Sequence, residues 1–197
     1  METQSFGPRP KLSAGFFFLS LGVLVTLITS VVSFLNLVFE TLNKRFPDAL
    51  NATYGYGYTT YEYESIRMAL ATLIIVFPVF LAVSYFWRKF SKMDLGSIDE
   101  VIKRWVIYII LFLAAVVVVA DLVTLVRYFI SGEITTRFIW KVVTVLVVAA
   151  LVGFRYIFLL KGRDMIGTVR TDLLFGGVGI LLVLIAISYS FIIIGSP

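Results

Sequence analysis

The chain has 197 residues, 60% of them apolar and only 15% charged, and a net charge of +5. A water-soluble domain averages about 45–50% apolar and 25% charged residues, so one ordinary aqueous core is excluded. Histidine and cysteine are both absent, which removes histidine-ligated haem, iron–sulfur clusters, most zinc sites, thiol catalysis and disulfides.

Five apolar runs occupy most of the sequence, at residues 12–39, 66–87, 105–128, 138–160 and 173–194. A helix of about 20 apolar residues crosses the hydrocarbon core. Lipid offers no partner to backbone polar groups, so each run must be helical. The expected fold is all-α: a polytopic bundle of five transmembrane helices forming a single membrane domain over 1–197.

Lysine and arginine mark cytoplasmic loops. With the N-terminus inside, inner segments carry Arg9, Lys11, Arg88, Lys89, Lys92, Lys103, Arg104, Arg155, Lys161, Arg163 and Arg170. Outer segments carry Lys44, Arg45, Arg67, Arg127, Arg137 and Lys141. Eleven against six favours a cytoplasmic N-terminus and an external C-terminus. The same asymmetry accounts for the positive charge without invoking nucleic acid. Signal-peptide cores span about 7–15 residues; the first run is far longer and reads as a retained span.

Helix 1 carries Gly15, Leu19, Gly22, Thr26, Thr29, Ser33, Asn36 and Glu40 at alternating steps of four and three. Small and hydroxylated residues on one stripe let helices approach closely in lipid, and an asparagine can bond across. Gly15, Gly22 and Asn36 are therefore candidate helix-packing positions. One wall of a polar pathway is the functional alternative.

The outer loop, 40–65, is rich in tyrosine and glycine. Tyr54, Tyr56, Tyr58, Tyr61 and Tyr63 form a candidate partner-binding surface on an extended or hairpin segment, or rest at headgroup level. Thr53-Tyr54-Gly55-Tyr56-Gly57 resembles a potassium-channel filter. A filter requires a buried re-entrant helix before it. Here the charged stretch Asn43-Lys44-Arg45-Phe46-Pro47-Asp48 occupies that space. Asn51-Ala52-Thr53 fits a glycosylation sequon, relevant only in a eukaryotic secretory context.

Helix 2 contains Pro78, which predicts a kink. Ser97 with Glu100 forms a capping box ahead of helix 3. Asp99/Lys103 and Glu100/Arg104 are spaced for i,i+4 pairing on a helical lead-in. Trp87 and Trp105 flank this inner loop, where interfacial aromatic belts lie.

Asp121 is the most informative residue of helix 3. A charge at bilayer depth is costly, about 3 kcal/mol on insertion scales, and normally has a partner. Helices 3 and 4 make a hairpin around Gly132, which places Lys141 at matching depth. An Asp121–Lys141 pair is expected. Glu133 and Arg137, spaced i,i+4 at the start of helix 4, extend it into a candidate intramembrane polar cluster. An ion or proton site and a salt bridge fixing the hairpin register are both open readings. In helix 5, Asp172, Gly176, Gly179, Val183, Ala186 and Ser190 repeat the four-three spacing. Gly176 and Gly179 join the candidate packing positions.

Several polar residues fall in order within these apolar helices. They are Phe77-Pro78-Val79-Phe80, Arg104-Trp105-Val106-Ile107-Tyr108, Asp121-Leu122, Ser131-Gly132-Glu133, Arg137-Phe138 and Lys141. Together they resemble a bacterial membrane family catalogued as a domain of unknown function, number 5671. The pattern covers about helices 1 to 4, with helix 5 and the tyrosine-glycine stretch as additions. The resemblance implies a prokaryotic four-helix membrane unit in the cytoplasmic (inner) membrane and supplies no activity. It also makes Asp121, Glu133, Arg137 and Lys141 parts of one motif.

The expected role is a scaffold or accessory subunit of a membrane assembly. The alternative is a small ion or proton channel or transporter built on the Asp121 cluster. Expected partners are the lipid bilayer and either other membrane proteins or a second copy of the chain. No cofactor and no enzymatic activity are expected. Serine chemistry normally needs a base such as histidine, and an aspartyl mechanism needs two carboxylates together at depth.

Overall fold

The computed structural model describes residues 14–46, 58–91, 97–161 and 165–194. They form five helices: α1 (Ala14–Arg45), α2 (Tyr58–Ser91), α3 (Ser97–Ile130), α4 (Thr136–Lys161) and α5 (Met165–Ile194). Each contains a stretch long and apolar enough to cross a membrane, and no strand occurs among the described residues. Large apolar side chains such as Phe112, Val123 and Ile192 are exposed along the helices. Such a surface belongs against lipid rather than water.

Every helix outruns its apolar stretch. Backbone bonding continues into polar segments, because a helix need not stop where the hydrocarbon does. The outer loop is consequently shorter than the expected 40–65. α1 runs on to Arg45, and α2 begins at Tyr58. Tyr58, Tyr61 and Tyr63 thus lie in the opening turns of a helix, not on an extended segment. Tyr54, Tyr56 and the filter-like stretch at 53–57 lie outside the described residues.

The core is built chiefly on the α1–α2 pair, with α3 packed mainly on α4. α1 and α2 run antiparallel. At one end Ser20 accepts a 2.8 Å hydrogen bond from the Trp87 indole N–H. At the other, Leu37 clusters with Ile66, Leu70 and Leu73. Trp87 is only 1% exposed and turns into the bundle. Trp105, at 67% exposed, does face outward.

The buried stripe of α1 is Phe16, Ser20, Val23, Leu27, Ser30, Phe34, Leu37 and Thr41, with Ser33 of the expected stripe also buried. It lies one residue, about 100°, around the helix from the expected small-residue stripe. Gly15 and Asn36 are exposed and do not pack between helices. Gly22 sits at the seam's edge, where an added Cβ would stand 3.3 Å from Val83 Cγ1. The displacement has a physical cause. Between helices in lipid the main reward is van der Waals contact, which favours the face interleaving large side chains with serine. The threonines satisfy themselves instead: Thr26 Oγ1 donates to Gly22 O at 2.6 Å and Thr29 Oγ1 to Val25 O at 2.9 Å.

Pro78 lies within α2, and the helix continues beyond it to Ser91. α3 starts at Ser97 and is continuous through the lead-in. Glu100 and Arg104 form a 2.7 Å ion pair, both well exposed. Exposed pairs contribute about 0–1 kcal/mol.

The α3–α4 connection is specified locally. Gly132 has φ +69°. Its N–H bonds Phe129 O, and the Glu133 N–H bonds Tyr128 O, each at 3.2 Å. This is the Schellman pattern with glycine in the left-handed position. Thr135 then caps α4, its Oγ1 accepting from the Phe138 N–H at 3.2 Å. Tyr128 stacks on Phe138, centroids 4.3 Å apart, closing the hairpin. Gly132→Val should cost about 1–2 kcal/mol through left-handed strain, and Thr135→Ala about 1 kcal/mol through the lost cap. Equilibrium unfolding in detergent micelles measures both.

Candidate functional site

The hairpin brings Arg137 within electrostatic reach of Lys141 but does not assemble the four members of the expected polar cluster. Asp121 is half-buried on the α3 stripe that includes Val118, Leu125 and Tyr128. Its Oδ2 is buried and accepts no hydrogen bond from the described residues. Lys141 turns toward α1 instead, its Nζ 5.4 Å from the centre of the Phe39 ring. The charges acting on that ammonium are Arg137 and Glu40. The expected Asp121–Lys141 pair is therefore absent among the described residues. Hairpin geometry matches their depths, but α4 presents Lys141 to α1 rather than to α3.

Glu133 stands exposed in the turn, before α4 begins at Thr136. It therefore lacks the helical i,i+4 geometry expected with Arg137. Among the described residues, no three side chains of the metal-binding types come together.

The surroundings of Asp121 are distinctive. α3 buries Val106, Ile107 and Ile110 in its first half. From Leu111 to Ile130 no α3 side chain is fully buried. The second half of α3, with its carboxylate, forms an edge of the bundle. Asn36, also at the bundle surface, makes no side-chain hydrogen bond among the described residues.

A second polar feature sits inside the bundle. Arg155 of α4 reaches Ser84 of α2, its Nη2 3.2 Å from Oγ. The guanidinium also lies 5.7 Å from the Phe80 ring centre and 5.9 Å from that of Tyr156. It flanks a half-open, mainly apolar cavity of about 110 Å³ between α1, α2, α4 and α5. Gly176 and Gly179 line this cavity from α5. Neither would bring an added Cβ within 4 Å of anything. They make room rather than close contact, unlike the packing role expected from their spacing. Two further cavities lie between α1 and α3 and between the start of α3 and the end of α4; Asp121 lines none of the three.

Sequence reasoning counted Arg155 as a marker of the cytoplasmic loop. The available signal was its place on α4: it follows Val152 by three and adjoins Tyr156, on the stripe Val142, Val145, Ala149, Val152, Tyr156 that faces inward.

Comparison with curated proteins and with solved structures gives no match. A family model, Domain of unknown function (DUF5671), matches residues 17–155, from the start of α1 to Arg155 near the end of α4. α5 lies beyond those bounds, and the tyrosine-glycine stretch falls within them. The chain is thus a membrane protein with five candidate spans, and it belongs to the DUF5671 family.

Proposed function

We propose that the protein is a non-enzymatic scaffold or accessory subunit of a membrane assembly, seated in the bacterial cytoplasmic membrane with its N-terminus inside and C-terminus outside. The observation that carries this reading is Asp121. Its Oδ2 has no donor among the described residues, and it sits on the exposed second half of α3. Polar groups at bilayer depth find partners because the alternative is an unsatisfied group in hydrocarbon. A donor on the helix of another chain, or of a second copy, meets that need at this edge. Outward-facing Asn36 supports the same role.

The channel or transporter reading would need a water-filled route to Asp121, and none of the three cavities described is lined by it. Affinity purification of the native protein in mild detergent tests the assembly role. A stoichiometric membrane partner, or a defined homo-oligomer, is expected. Recovery of a lone monomer overturns it.

A further inference from the structure

We propose that the cavity between α1, α2, α4 and α5 binds one acyl chain carrying a carboxylate, with Arg155 holding the head. This site is separate from Asp121 and does not depend on how that residue is used.

Three observations converge on it. The first is Arg155, which among the described residues makes no ion pair and is held by Ser84 and two aromatic faces. A guanidinium has five donors in a planar fork suited to a carboxylate. Within hydrocarbon, a cation this poorly compensated favours an anion.

The second is Ser30, which is 5% exposed and lines the cavity from α1. Its Oγ has no hydrogen-bond partner among the described residues, whereas Thr26 and Thr29 both bond back to their own helix. Arg155 and Ser30 each offer a donor to the same space, so the ligand must bring acceptors.

The third is the shape and direction of the space. A cavity of about 110 Å³ is smaller than the 150 Å³ that encloses benzene, so it admits a segment of one chain and not two. Apart from Arg155 and Ser30, its named lining includes Phe34, Val148, Leu182 and Val183. Arg155 stands seven residues, about 10 Å, beyond Val148 along α4. A head at Arg155 therefore lies toward one membrane face, while the tail runs toward the bilayer centre. Gly176 and Gly179 keep the α5 wall open.

The test uses the full-length protein in phosphatidylcholine nanodiscs with three photoreactive single-chain probes: a long-chain fatty acid, the matched alcohol and a lysophosphatidic acid. The fatty acid should label the cavity walls, and the alcohol about tenfold less, the loss expected for one charge-assisted hydrogen bond. Arg155→Gln should bring acid labelling down to the alcohol level, and Arg155→Lys should restore part of it. Should Arg155→Gln fail to fold, Gly176→Leu carries the test, since it fills the space with no atom within 4 Å of the new Cβ. It should abolish labelling while leaving the helical content unchanged. Equal labelling by acid and alcohol, or undiminished labelling of Gly176→Leu, would overturn the proposal. Stronger labelling by lysophosphatidic acid than by the fatty acid would overturn the choice of a carboxylate head.

Discussion

Trp87→Ala should destabilise the bundle by about 3 kcal/mol or more, the low end of the cost of removing a buried aromatic side chain. The indole is among the largest fully buried side chains, packed with Val23, Leu27 and Ile107. In lipid there is little transfer free energy to lose, so the cost falls on dispersion contacts and the cavity left behind. A second, smaller term is polar. Without the indole N–H, buried Ser20 loses the partner that holds α1 to α2. Trp87→Phe isolates that term, because most of the ring volume stays while the donor goes. It should cost about 1 kcal/mol, and the coupling to Ser20→Ala in a double-mutant cycle should be about 0.6 kcal/mol. Reversible unfolding in mixed micelles measures the single variants and the double variant alike. A Trp87→Ala cost below that of Trp87→Phe would show that the side chain is not in the core.

Asp121→Leu should have two effects of opposite sign. Removing a carboxylate whose Oδ2 is buried without a donor should stabilise the isolated chain, by about 1 kcal/mol. Association with the membrane partner should weaken by about 1–2 kcal/mol, or roughly five- to thirtyfold, the scale of an interhelical polar contact in lipid. Asp121→Asn keeps an acceptor oxygen and should fall between. Paired measurements of unfolding and co-purification therefore separate a docking group from a structural one. A structural acid would lose stability on substitution and leave association unchanged.

What could be read beforehand follows from which coordinate each signal encodes. Length and hydropathy fix how many helices cross and at what depth each residue sits. Hence the five spans, the α3 lead-in and the glycine turn at Gly132 agree between sequence and structure. Rotation about a helix axis is harder. In water, apolar residues point inward; in lipid both faces of a helix are apolar, so the usual contrast is missing. The α1 stripe illustrates this: the small residues Gly15, Gly22 and Asn36 lie one residue away from the face that is buried. Asp121 and Lys141 show the same limitation, since equal distance from Gly132 fixes height and not azimuth. Arg155 was obscured for a different reason. Charge counting assigns every basic residue near a helix end to a loop, whereas a long side chain inside the helix can turn into the bundle.

The most direct measurement places a photoreactive amino acid at Leu122, exposed beside Asp121 on the second half of α3. Irradiation of intact native membranes should yield one discrete protein adduct above the monomer mass, and Asp121→Leu in the same chain should remove it. Adducts to lipid alone, or a protein adduct that persists unchanged without the carboxylate, would contradict the account.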